Sequence, residues 1–120
     1  QILARGFQVN GTGKIADFAV PADATGQHLN PAISMNTNGD FVIGWQADAA
    51  SSGSYQIRAR SFRGDGTQWL ADFLVNKIDL GQQRIPDISL NASGKIVAIW
   101  EDDMDGNNAF QLVARGFDSP

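Results

Sequence analysis

The sequence predicts an all-β fold on three observations. Apolar residues fall in short runs of strand length, and nowhere do they recur with helical spacing. Between the runs stand Asn, Asp, Ser and Gly, the residues of tight turns. The chain also repeats itself. Ile2 to Phe7 reads ILARGF, Ile57 to Phe62 reads IRARSF, and Leu112 to Phe117 reads LVARGF, each 55 residues after the last. With that offset the two halves align without a gap. Phe18 falls on Phe73, Val20 on Val75, Gly26-Gln27 on Gly81-Gln82, Pro31 on Pro86, Asn36 on Asn91, Trp45 on Trp100 and Asp48 on Asp103. A period of this kind is read before any single motif.

Each unit divides into four strand-like pieces. ILARGF opens the chain as a piece of type C, and the next piece, type D, carries Phe18 and Val20. PAISMN (type A) and FVIGWQA (type B) flank Asn38-Gly39, a hairpin signal that supplies positive φ. YQIRARSF then follows a polar loop, and WLADFLVN follows RGDGT. In the second copy PDISLN and KIVAIWE flank Ser93-Gly94, and LVARGF ends the pattern. The order is therefore C-D-A-B-C-D-A-B-C: one domain, 1–120, of two tandem repeats (2–56 and 57–111) plus a repeated strand at 112–117.

The B pieces are apolar on both faces. Phe41, Ile43 and Trp45 alternate with Val42; Ile96, Ala98 and Trp100 alternate with Val97 and Ile99. Such a strand belongs between two sheets. Two four-stranded antiparallel meanders, each covered on both faces, predict β-propeller blades, with a two-sheet sandwich or a barrel as the alternative. Propellers carry about 4–8 blades, so two close no circle. The expectation is a ring of several copies, or a segment of a longer repeat protein.

Composition narrows the function. The 120 residues carry a net charge of −4, which argues against a phosphate-tracking nucleic-acid binder. There is no cysteine, hence no disulfide, thiol nucleophile or Cys-based zinc site. No apolar run approaches the ~20 residues of a membrane helix. No leader is legible and the sequence opens on Gln1, which reads as a processed protein or a piece of a larger one.

Candidate sites are few. Glu101, Asp102, Asp103, Asp105 and Asn107 crowd hard oxygen ligands around Gly106, the chemistry calcium requires. The plainer reading is a solvated acidic hairpin tip, and no EF-hand is present. Arg5, Arg60 and Arg115 recur at one position. Their expected role is structural, stacking on Trp45 or Trp100 or pairing with Asp17 or Asp72; the functional alternative is a ring of arginines attracting an acidic ligand. Trp45 and Trp100 read as packing. Trp69 has Lys14 as its counterpart, so the repeat does not demand it, and it is the candidate platform for a sugar face. Arg63-Gly64-Asp65 matches an integrin tripeptide but makes sense as turn chemistry. Asn10-Gly-Thr12 and Asn91-Ala-Ser93 fit the glycosylation sequon, which matters only in a eukaryotic secreted host. His28 is the only histidine, and neither Ser34 nor Ser54 has the surrounding glycines of a nucleophile elbow. Asp17 and Asp72 are related by the repeat and read as structural. No enzyme is expected.

The motifs Phe73-Leu74-Val75-Asn76, Gly81-Gln82, Pro86 to Ser89, Gly94 to Trp100, Asp102 to Asn108 and Leu112 to Phe117 resemble repeats of large exported bacterial proteins of the hemolysin-type calcium-binding and cadherin-like adhesion kinds. The resemblance implies a secreted or cell-surface setting and a propeller-like array; it brings no catalytic residues. This chain departs from the pattern in its first B–C loop, ADAASSGSY, which keeps only Asp48, and at Pro21, where the second unit has Asn76. The expected function is a non-catalytic binding or adhesion module, lectin-like or surface-protein-binding through repeated loops, as a homo-oligomeric ring or as part of a longer protein. The alternatives are a scaffold repeat and an accessory propeller domain.

Overall fold

The computed structural model describes residues 1–77 and 80–118. Among them are nine strands and no helix: β1 (Leu3–Phe7), β2 (Gly13–Ala19), β3 (Gln27–Met35), β4 (Phe41–Asp48), β5 (Gln56–Phe62), β6 (Gln68–Leu74), β7 (Gln82–Leu90), β8 (Ile96–Asp103) and β9 (Gln111–Phe117). They form three antiparallel sheets: β1-β2 (sheet 1), β3-β4-β5-β6 (sheet 2) and β7-β8-β9 (sheet 3). None of them closes into a barrel.

Pairing registers recur with the sequence. β3 meets β4 from Met35↔Phe41 to Gln27↔Asp48, and β7 meets β8 from Leu90↔Ile96 to Gln82↔Asp103. Both ladders break at the same place, between Leu29 and Ala32 and between Arg84 and Asp87. Asn30 and Ile85, each at φ 51°, sit in those breaks. An isoleucine tolerates that conformation poorly, so a partner has to fix it: the Ile85 amide donates to Gln46 Oε1 at 3.0 Å, from one sheet to the next. At the expected turns Asn36 Oδ1 accepts the amides of Asn38 and Asp40, while Asn91 Oδ1 accepts those of Ser93 and Lys95.

Sheet 2 lies between the other two, and every residue of β4 is buried. Phe41, Ile43, Trp45 and Phe62 pack on Ile2, Val20, Ile15 and Phe18 of sheet 1 and its continuation. Val42, Ile57, Ala59 and Val75 pack on Ile88, Leu90, Ile96, Ala98 and Trp100 of sheet 3. Side chains at i and i+2 share one face of a strand, which is why alternate residues of β4 serve different sheets. Edge-on phenylalanine pairs seal each junction, Phe18–Phe62 at 5.0 Å and Phe73–Phe117 at 5.1 Å between centroids.

One expectation fails. β8 was to be covered on both faces like β4, but Val97 and Ile99 are 47% and 41% exposed. The reason is position: sheet 3 ends the stack, and among the described residues no further sheet lies over it. A matching asymmetry marks the other end. Ile88 and Leu90 are 7% and 6% exposed, whereas Ile33 and Met35, 55 residues earlier, are 61% and 64% exposed. Sheet 1 has only two strands and leaves them uncovered.

Candidate functional site

The site begins with two tryptophans on equivalent strands. Trp100 is buried in β8, and its Nε1–H donates to Asp102 Oδ2 at 2.9 Å. The Gln83 amide donates to the other oxygen of Asp102 at 3.3 Å. In the first unit Trp45 is 0% exposed, but Ala47 stands in place of the aspartate and His28 in place of the glutamine. Among the described residues the Trp45 Nε1–H has no acceptor. A buried donor left so costs about 1–3 kcal/mol.

Beside it opens a recess of about 280 Å³, walled by Trp45, Ala47, His28, Arg58, Asp72 and Asp23 among others. Its floor comes from β4, one wall from β5 and β6, and its rim from the β2–β3 connection. Arg58 donates through Nε to Asp72 Oδ1 at 2.5 Å, and Asp72 Oδ2 accepts the Ala22 amide at 3.3 Å. The rim is set by Asp23, whose Oδ1 accepts the Thr25 hydroxyl at 2.7 Å and the Thr25 amide at 2.9 Å. Those two bonds hold the Asp23 carboxyl below the usual carboxylate value. The recess thus gathers a guanidinium and carboxylates around alanine-lined walls, with the buried Trp45 indole behind them: donors and acceptors for a small polar molecule.

A sister recess of about 290 Å³ lies at Trp100. There Asp102 occupies the indole donor and Val113 replaces Arg58. Asp102→Ala is expected to cost about 1–3 kcal/mol, because the buried Trp100 Nε1–H loses its acceptor, while the Gln83 amide keeps the Leu80 carbonyl at 2.7 Å. Urea denaturation measures it, and a cost below about 0.5 kcal/mol would mean the pairing matters little.

Sequence-predicted residues lie elsewhere. Asp103 accepts the amides of Asn107 (3.0 Å) and Asn108 (2.9 Å), as Asp48 accepts those of Ser52 (2.9 Å) and Gly53 (2.6 Å). Both aspartates anchor their B–C loops, and the Ser52 amide leads the contacts that hold the Asp48 carboxyl low. Asp102 turns inward to Trp100. Glu101 pairs with Arg84 at 3.2 Å, and Asp105 and Asn107 bond each other. Among the described residues no three such groups surround one point.

The arginines do not stack on tryptophan. Arg5, Arg60 and Arg115 each sit over the phenylalanine two residues on, at 5.2, 5.1 and 4.9 Å from the ring centroid. Arg60 and Arg115 also reach the preceding sheet, donating to the Val20 carbonyl at 2.9 Å and the Val75 carbonyl at 3.1 Å. Arg5 pairs with Asp17 at 3.4 Å, but Asp72 is held by Arg58 instead of Arg60. The Trp69 ring carries the Arg63 guanidinium 3.9 Å above it, so that face is taken. Asp65 of the RGD stretch closes its own turn on Thr67. Ser34 Oγ accepts the Leu90 amide across sheets.

Arg58, Ala47 and His28 were missed as site residues. A signal existed: Arg58 stands where the other C strands have Leu3 and Val113, as Ala47 stands opposite Asp102. Comparison with family models, curated proteins and solved structures finds no match.

Proposed function

We propose that the chain is a non-catalytic binding module of an exported protein, built of propeller-type blades, and that the recess at Trp45 takes one sugar unit of a glycan. The observation that carries this reading is the buried Trp45 Nε1–H without an acceptor, next to Arg58 and Asp72, where the sister tryptophan has its own aspartate. A sugar hydroxyl accepts from the guanidinium while donating to a carboxylate, the sugar's apolar face lies on the alanine walls, and binding opens the wall over the buried Trp45 Nε1–H so that it too finds an acceptor. At about 280 Å³ the recess is near the lower end of small-molecule sites, about 300–1,000 Å³. That size suits a single ring. Loops of the B–C and D–A kind rim it, and the resemblance of the repeat motifs to those of exported adhesion proteins supports the same setting. A single shallow site binds weakly, and several copies of the module would add avidity.

The test is calorimetric titration with free neutral hexoses, deoxyhexoses, N-acetylhexosamines and hexuronic acids. At least one is expected to bind the wild type and to lose binding in Ala47→Asp, which supplies the acceptor that Asp102 supplies to Trp100. Binding that survives Ala47→Asp, or no binding across the panel, contradicts the proposal; the second result would leave a water molecule as the recess's occupant.

A further inference from the structure

We infer that a second copy of this chain completes sheet 1: β1 takes, along that copy's β8, the place that β9 holds within one chain, and β9 is displaced. β1 pairs only with β2, and its other edge is free among the described strands. Along that edge runs an apolar groove lined by Phe7, Ile15, Phe18, Ile33, Met35 and Phe41. Its exposed members, Ile33 and Met35, are the residues whose later counterparts Ile88 and Leu90 are covered by β3 and β4 of the neighbouring sheet. The groove is therefore shaped for a pair of strands of type A and B, and the chain carries such a pair with an exposed outer face, at Val97 and Ile99.

The edge is matched as well as the face. β1 and β9 share Ala-Arg-Gly-Phe, at residues 4–7 and 114–117. Within the chain β8 meets β9 with Ile96↔Phe117 and Ile99↔Ala114. Carried over by 110 residues (twice the repeat), the same register sets Ile96 against Phe7 and Ile99 against Ala4 of the other copy. Arg5 and Phe7, exposed in the single chain, then take the places of Arg115 on the Val75 carbonyl and Phe117 on Phe73. Leu3, 59% exposed, takes the place of Val113 beside Trp100. Val97 and Ile99 of the incoming hairpin cover Ile33 and Met35. The match departs at one position. Ile99 stands where Gly44 lets Ile88 approach to 3.4 Å of an added Cβ, so Ile33 meets a larger side chain there than Ile88 does. Exchange of an identical element between copies needs no new kind of contact; it closes the open edge of β1 and gives up in return the ladder between β8 and β9. Repeated from copy to copy it gives every sheet four strands.

The chain has no cysteine, so a disulfide between Ala4→Cys and Ile99→Cys reports on this contact alone. Within one chain sheet 2 separates the two positions; opposed residues of paired strands lie about 4.5–5.5 Å apart at Cα, within disulfide range. On oxidation the double variant is expected to run as covalent multiples of 12.9 kDa on a non-reducing gel, while Ile99→Cys alone gives no more than a dimer. Adding Ile33→Asp and Met35→Asp is expected to abolish the multiples with the circular dichroism unchanged. Monomeric double-cysteine protein, or cross-linking that persists with both aspartates, overturns the inference.

Discussion

Ile88→Asp is expected to abolish cooperative folding, whereas Ile33→Asp, the same substitution one repeat earlier, leaves the chain folded. Ile88 is 7% exposed and lies in the core between sheets 2 and 3, over Gly44. Removing it forfeits about 1.5–3 kcal/mol of burial, and the carboxylate that replaces it has no partner there, a further cost of about 3–5 kcal/mol. Together these rival the about 5–15 kcal/mol that holds an ordinary domain together. Ile33 is 61% exposed, so the same carboxylate stays in water. Urea titration followed by tryptophan fluorescence separates the two; similar midpoints for both variants would mean that the stacking order is wrong.

Gly81→Ala is expected to cost about 3–5 kcal/mol, at the severe end for a single methyl group. Gly81 has φ 71°, and a Cβ there would lie 1.7 Å from the Asp103 carbonyl oxygen. Gly26 repeats the geometry at φ 73° and 1.9 Å from the Asp48 carbonyl oxygen. The obstacle is backbone of the residue that anchors the B–C loop, so relief requires moving the strand end and the loop together. Gly106, also at φ 71°, meets nothing within 4 Å, and its alanine variant bears only the backbone strain of about 1–2 kcal/mol. Thermal unfolding of the three variants checks this. Equal losses at Gly81 and Gly106 would show that the close approach is relaxed in solution.

Local chemistry made much of the fold legible. Asn36 and Asn91 announce their turns because their side chains close them, and the order of strands follows from the repeat. Burial of β4 was legible because both its faces are apolar. The same reasoning failed for β8: two apolar faces say that a strand suits the middle of a stack, not that a neighbour is present. The i, i+2 spacing of Arg60 and Phe62 places them on one face of a strand, but the bond from Arg60 to the Val20 carbonyl depends on how sheets stack and has no sequence signature.

The acidic loop shows the same limit. Its composition advertised oxygen ligands, while their directions were decided by groups the composition does not reveal: the loop amides captured Asp103, and Trp100 captured Asp102. The recess at Trp45 was harder still, since its signal is an absence. Ala47 carries no chemistry of its own and gains meaning only beside Asp102 in the other repeat. Trp69 drew notice by the same rule of departure from the repeat, and there the departure is filled by Arg63.

The most direct test of the account follows the indole N–H resonances of the three tryptophans by ¹⁵N–¹H NMR during titration with the monosaccharide panel. Trp45 is expected to shift with one sugar class, as its free Nε1–H finds an acceptor, while Trp100, held by Asp102, stays in place. A Trp45 resonance that never moves, or a Trp100 resonance that moves with it, would contradict the claim that the first repeat is open to a ligand where the second is closed.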